Sequence, residues 1–98
     1  MARVELRIPD LMLHSRVLEV LKAGGHEIVS DDPEVLVIDV MDVDAASVAG
    51  AAPALLGVFA HTQPAARERA LAAGFDLVVP RSRIVREGAE LVSRLAAV

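Results

Sequence analysis

From residue 3 to residue 8 the chain reads Arg-Val-Glu-Leu-Arg-Ile, apolar and charged positions in strict alternation. A period of two predicts a strand with one wet face, and such a strand belongs near a sheet edge. Pro9 stops it, and Asp10 is placed to cap a helix by accepting from the free amides of the first turn. The period then changes. Leu13, Val17, Val20 and Leu21 fall on one helical stripe with Leu11 and Leu18 beside it, and Gly24-Gly25 ends that helix. Residues 26–30 predict a short strand at most, because Asp31-Asp32-Pro33 follows at once. Residues 34–40 are apolar apart from Glu34 and Asp39, the pattern of a strand buried on both faces.

The Ala-rich stretch 44–52 predicts a short, weak helix ended by Pro53. Residues 54–60 form the next buried strand, with Gly57 where a helix can approach closely. Thr62 or Gln63 caps a helix over 64–73, and Pro64 sits in its first turn, where a missing amide costs nothing. Gly74 closes that helix, with Phe75 placed to fold back on Ala70. Residues 76–80 are the last strand, cut short by Pro80. Residues 89–98 predict a final helix with Leu91, Val92 and Leu95 inward, Gly88 arguing against a start as early as Ser82.

Strands alternating with helices imply an α/β fold with parallel pairing and right-handed crossovers. Ninety-eight residues with no linker or repeat suit a single domain spanning 1–98. The sheet is expected to hold four to five strands. Asp31 to Glu34 reach at most about 14 Å. That is too short to return from a full second strand to the foot of the third, so residues 26–30 can supply only a few paired residues near the lower edge, or none.

The chain is 54% hydrophobic but 2% aromatic, so Val, Leu and Ala must build the core. Each buried Val or Leu contributes roughly 1.5–3 kcal/mol. A net charge of −4, with arginines scattered among acids, argues against a nucleic-acid or acidic-membrane surface. No stretch approaches a membrane span and no signal-peptide pattern opens the chain. Cysteine is absent, which excludes disulfides and thiolate chemistry, and a cytoplasmic location is the default expectation.

Ligand chemistry in an open α/β sheet gathers beyond the carboxyl ends of the strands. Those ends carry Pro9-Asp10, Asp39 with Met41-Asp42, His61-Thr62, and Arg81-Ser82. Asp39, His61, Arg81 and Ser82 are therefore the candidate ligand-binding residues. Each also has a plain structural role open to it: Asp39 paired with Arg81, His61 as a loop residue, Ser82 in the turn after the last strand. Asp39, Asp42 and His61 are mixed oxygen and nitrogen donors at uninformative spacing, so no metal is expected. No Gly-rich phosphate loop follows a strand and no serine nucleophile elbow is present, so neither a cofactor nor catalysis is expected.

Three segments resemble a response-regulator receiver domain, of flavodoxin-like fold. Residues 3–29 resemble its first strand, first helix and the start of its second strand. Residues 34–42 (EVLVIDVMD) resemble the strand ending in the phosphoacceptor, which puts Asp39 at that position. Residues 54–82 resemble its fourth strand, fourth helix and fifth strand. The departures fall on the chemistry. The resemblance implies two acids after the first strand to hold Mg²⁺, where this chain has Ile8 and Pro9; Asp10 matches only the position after them. It implies a switch hydroxyl where Phe59 stands and a lysine where Val79 stands. The second helix is missing, replaced by Asp31 to Glu34.

Phosphoryl transfer to a carboxylate needs cations to offset the converging negative charge, and losing one such group typically costs a few kcal/mol. The expected function is therefore a non-catalytic, phosphorylation-independent receiver-like module for protein interaction in signalling or regulation. A homodimer and an unidentified protein partner are expected, with no nucleic acid and no membrane. The dimer face expected is the helix over 64–73 with the final helix around Leu91, Leu95 and Val98. The alternative is a small-ligand or nucleotide sensor using the strand-end crevice, and a still-phosphorylatable receiver or an enzyme stands third. A sealed Asp39–Arg81 pair favours the first; an open pocket with His61 facing in favours the second.

Overall fold

The computed structural model describes residues 1–97. Strand β1 spans Arg3–Arg7, helix α1 Leu11–Ala23, β2 Glu27–Ile28 and β3 Val35–Asp39. A single 3₁₀ turn, Ala45–Val48, leads to β4 (Ala54–Phe59), α2 (Pro64–Ala72), β5 (Leu77–Pro80) and α3 (Arg81–Ala96). All strand pairs are parallel, in the order β2-β1-β3-β4-β5. Helices α1 and α3 pack on one face over Val4, Val37, Leu56 and Val79. The 3₁₀ turn and α2 cover the other, over Leu36, Ile38, Leu55 and Val78. This is the expected three-layer flavodoxin-like sandwich without a second helix.

Strand β2 is as vestigial as the short Asp31–Glu34 connection requires. It pairs only Glu27 with Arg3 and Ile28 with Val4, at the foot of β1. β1 is therefore second from the edge, with its upper half unpaired on the β2 side. The wet face of β1 is charged, as the alternation in residues 3–8 predicts. Arg7 Nε pairs with Glu5 at 2.9 Å. Arg3 reaches the following turn, donating to the Asp31 carbonyl at 3.1 Å.

Helix ends follow the local residues. Asp10 Oδ1 accepts from the Leu13 amide at 2.9 Å, capping α1. At its other end Gly25 takes φ +86°, with Gly25 N–H on Lys22 O and His26 N–H on Leu21 O, the paired bonds of a Schellman end. The same two bonds recur at Gly74 and Phe75, donating to Leu71 and Ala70. Gln63 precedes Pro64 at the start of α2 but makes no side-chain cap.

Three local expectations are corrected by packing. The Ala-rich stretch yields only the 3₁₀ turn, capped by Asp44 accepting from Ala46 at 3.2 Å. Helix α3 starts at Arg81 and runs straight through Gly88. Glycine costs a helix interior about 1 kcal/mol, but Gly88 is buried here beside Val20 of α1, in a helix that tertiary packing holds together. Gly24 serves the α1–α3 crossing, its α-carbon facing Ala89. Lastly, Gly57 makes room for an aromatic ring, not a helix: a Cβ there would lie 2.9 Å from Phe75 Cδ2.

Candidate functional site

Asp39 ends β3 at the upper rim of the sheet and is fully buried. Its Oδ2 lies 2.8 Å from Arg81 Nη2, and its Oδ1 accepts from the Met41 amide at 3.0 Å. Arg81 arrives there because Pro80 ends β5 and stands as the N-cap residue of α3, so the next side chain begins the helix. Taking a carboxylate out of water costs several kcal/mol unless a partner and hydrogen bonds offset it. Asp39 has both. Arg81 is 37% exposed on its outer side, while its Nε is buried without an acceptor.

The four candidate residues are thus divided. Asp39 and Arg81 meet as a pair whose carboxylate is buried and whose guanidinium stays partly open to solvent. Ser82 lies next to Arg81, exposed, its hydroxyl making no hydrogen bond among the described residues. His61 is exposed in the turn after β4 and makes neither a hydrogen bond nor an ion pair among the described residues. Two hollows flank the rim. One, of about 540 Å³, lies between the loop after β3 and α2, bordered by Asp42, Asp44 and Arg69. The other, of about 340 Å³, lies between the starts of α1 and α3, and Asp10, Arg16, Arg81 and Ser82 line it. His61 borders neither.

The rim does not fit a divalent cation. Ile8 is buried and apolar, Pro9 carries no donor, and the Asp39 oxygens are already engaged. Among the described residues no three His, Asp or Glu side chains converge as a metal site.

One buried polar residue gave no signal in the sequence. His26, following the glycine pair, is 5% exposed. Its Nδ1 accepts from the Ala2 amide at 3.0 Å and its Nε2 donates to the Ala89 carbonyl at 2.9 Å. The two bonds fix the neutral tautomer with hydrogen on Nε2 and tie the chain's start to α3. Its role is structural, far from the rim.

No protein-family model matches the chain, and no curated protein is significantly similar to it in sequence. Solved structures are similar in fold. The receiver domain of Francisella response regulator 1452 superposes with a TM-score of 0.82 at 14% identity, over 99% of this chain and 98% of that one. The receiver domain of the putative response regulator NarL from Mycobacterium tuberculosis gives 0.78 at 23% identity, over 98% and 96%. A LuxR-family DNA-binding response regulator from Staphylococcus aureus gives 0.78 at 17% identity, over 98% and 99%. At such identities the likeness speaks for architecture alone: the chain has the receiver-domain fold.

Proposed function

We propose that this chain is a phosphorylation-independent receiver-like module that acts by binding protein, in signalling or regulation, and not by catalysis. The observation that carries this reading is the Asp39–Arg81 pair, closed on its carboxylate side. Both carboxylate oxygens are engaged and the side chain has no exposed surface. An incoming phosphoryl group would have to displace a guanidinium at 2.8 Å. Ile8, Pro9, Phe59 and Val79, at the positions where the receiver resemblance implies acids, a hydroxyl and a lysine, supply neither charge nor a hydroxyl to such a transition state. The receiver fold of response regulators supports a regulatory role for a chain whose rim retains the acceptor-like carboxylate without its helpers.

The test is incubation with acetyl phosphate and Mg²⁺, followed by intact-mass measurement. No mass increase is expected. A phosphoryl-sized increase that vanishes in Asp39→Asn would refute phosphorylation independence.

Homodimerisation belongs to the same proposal, through a revised face. Leu91 is 1% exposed and Leu95 packs against the same core cluster, so neither is free to form an interface; Val98 lies outside the described residues. The outer side of α2 keeps Leu71, 40% exposed, among small alanines that permit close approach.

A further inference from the structure

The 340 Å³ hollow between the starts of α1 and α3 stands at the low end of the size range of small-molecule sites, roughly 300–1,000 Å³. It opens beyond the carboxyl ends of β1 and β5, the region where open α/β sheets place ligands. Its polar lining is Asp10, Arg16, Arg81 and Ser82, with Met12 and Val85 supplying apolar surface.

The unusual feature is that these polar groups have spare capacity. Asp10 spends Oδ1 on the Leu13 amide, and its other oxygen has no partner. Arg16 is exposed and forms no hydrogen bond or ion pair among the described residues. Asp10 and Arg16 therefore carry opposite charges into one hollow without pairing with each other. The Ser82 hydroxyl is also unengaged, and no side chain caps the first turn of α3 beside it. Met12 is 78% exposed, an apolar side chain with nothing packed over it.

Charge balance selects the class of ligand. Arg16 and Arg81 stand against Asp10 and the buried Asp39, so the site is formally neutral. A dianion would find no excess positive charge, and a simple cation would meet an unpaired guanidinium. A molecule carrying both signs leaves neither Asp10 nor Arg16 unanswered. We propose that this hollow binds a small zwitterion, an α-amino acid with an aliphatic side chain. Its carboxylate lies on the planar fork of Arg16 and the Ser82 hydroxyl, the geometry guanidinium favours. Its ammonium donates to the free oxygen of Asp10, and its side chain rests on Met12 and Val85. Arg81 stays on Asp39 and contributes its outer edge. This site shares Arg81 with the Asp39 pair described above but leaves that pair and α2 intact, so its failure would not touch the interaction role.

Amide NMR of the full chain at low salt tests the assignment with three probes: L-leucine, isocaproate and isoamylamine, which share the branched chain and differ in charge. Leucine should cause saturable shifts at Arg16 and Ser82, with each singly charged probe at least about tenfold weaker. Arg16→Gln should weaken leucine about tenfold, and so should Asp10→Ser, which keeps a capping hydroxyl so that α1 still starts correctly. Saturable shifts that follow this ranking support the site. Absence of saturation, equal binding of isocaproate, or leucine binding unchanged in both variants overturns it.

Discussion

Arg81 Nη2 lies 2.8 Å from Asp39 Oδ2, joining the first turn of α3 to the end of β3 across 42 positions of sequence. A carboxylate with no exposed surface is thereby held against a cation that is itself partly in water. The asymmetry sets what each substitution does.

Arg81→Met leaves Asp39 buried and unpaired. Breaking a fully buried pair from one side costs about 3–5 kcal/mol; here about 2–3 kcal/mol is expected, because solvent already screens part of the Arg81 charge. The double variant Arg81→Met with Asp39→Leu should recover most of that loss, since an apolar pair needs no desolvation to be offset. Urea midpoints of the single and double variants measure both. An unchanged midpoint in Arg81→Met would show that the pair does not support Asp39's burial.

His26→Ala should lower stability by about 2–4 kcal/mol, combining a lost buried ring with an Ala2 amide and an Ala89 carbonyl left unsatisfied. Ser93 also reaches His26 Nε2, at 3.3 Å, but bonds Ala89 O as well, so it duplicates a contact that His26 already makes. Ser93→Ala is therefore expected to cost under about 1 kcal/mol. Chemical denaturation of the two variants side by side separates these contributions.

Gly57→Ala drives a methyl group into the buried ring of Phe75 and against Val78, which would lie 3.3 Å away. Overpacking of this kind costs about 1–3 kcal/mol. Phe75→Leu in the same chain should relieve part of it, so the double variant is expected to lose less than the two single losses added together. Thermal or urea unfolding of the four-member cycle gives the coupling directly.

Leu71→Arg should convert a dimer to a monomer in light scattering while leaving the chain folded, as Leu71 is 40% exposed, with only the concentration-dependent part of its stability lost. Leu95→Arg should instead destabilise the chain, because Leu95 packs on the α1–α3 core. A wild-type chain that scatters as a monomer across micromolar concentrations removes the dimer proposal.

Elements whose causes are local were legible in the amino-acid sequence. Alternation in residues 3–8 produced a strand with a charged face, and the apolar runs before Asp39 and around Gly57 produced strands closed on both sides. Asp10 and the glycines at 25 and 74 set helix ends through bonds to residues three to five positions away, which is why they could be read in advance. The brevity of Asp31–Glu34 likewise limited β2 through chain reach alone. Tertiary structure decided what depends on crossings between distant segments. Gly88 counts against a helix in isolation and sits inside one here, where α3 packs against α1, and it is Gly24's lack of a Cβ that lets the two meet at Ala89. His26 carries no local signature of burial; its partners are 24 and 63 positions away. At the rim, the strand ends named both Asp39 and Arg81, but only the packing of α3 against the sheet closed them into a pair and left Arg16, facing Asp10 across the hollow, without one. Periodicity and capping act over a turn or two of chain, whereas ion pairing and close packing depend on the three-dimensional course of segments far apart in sequence.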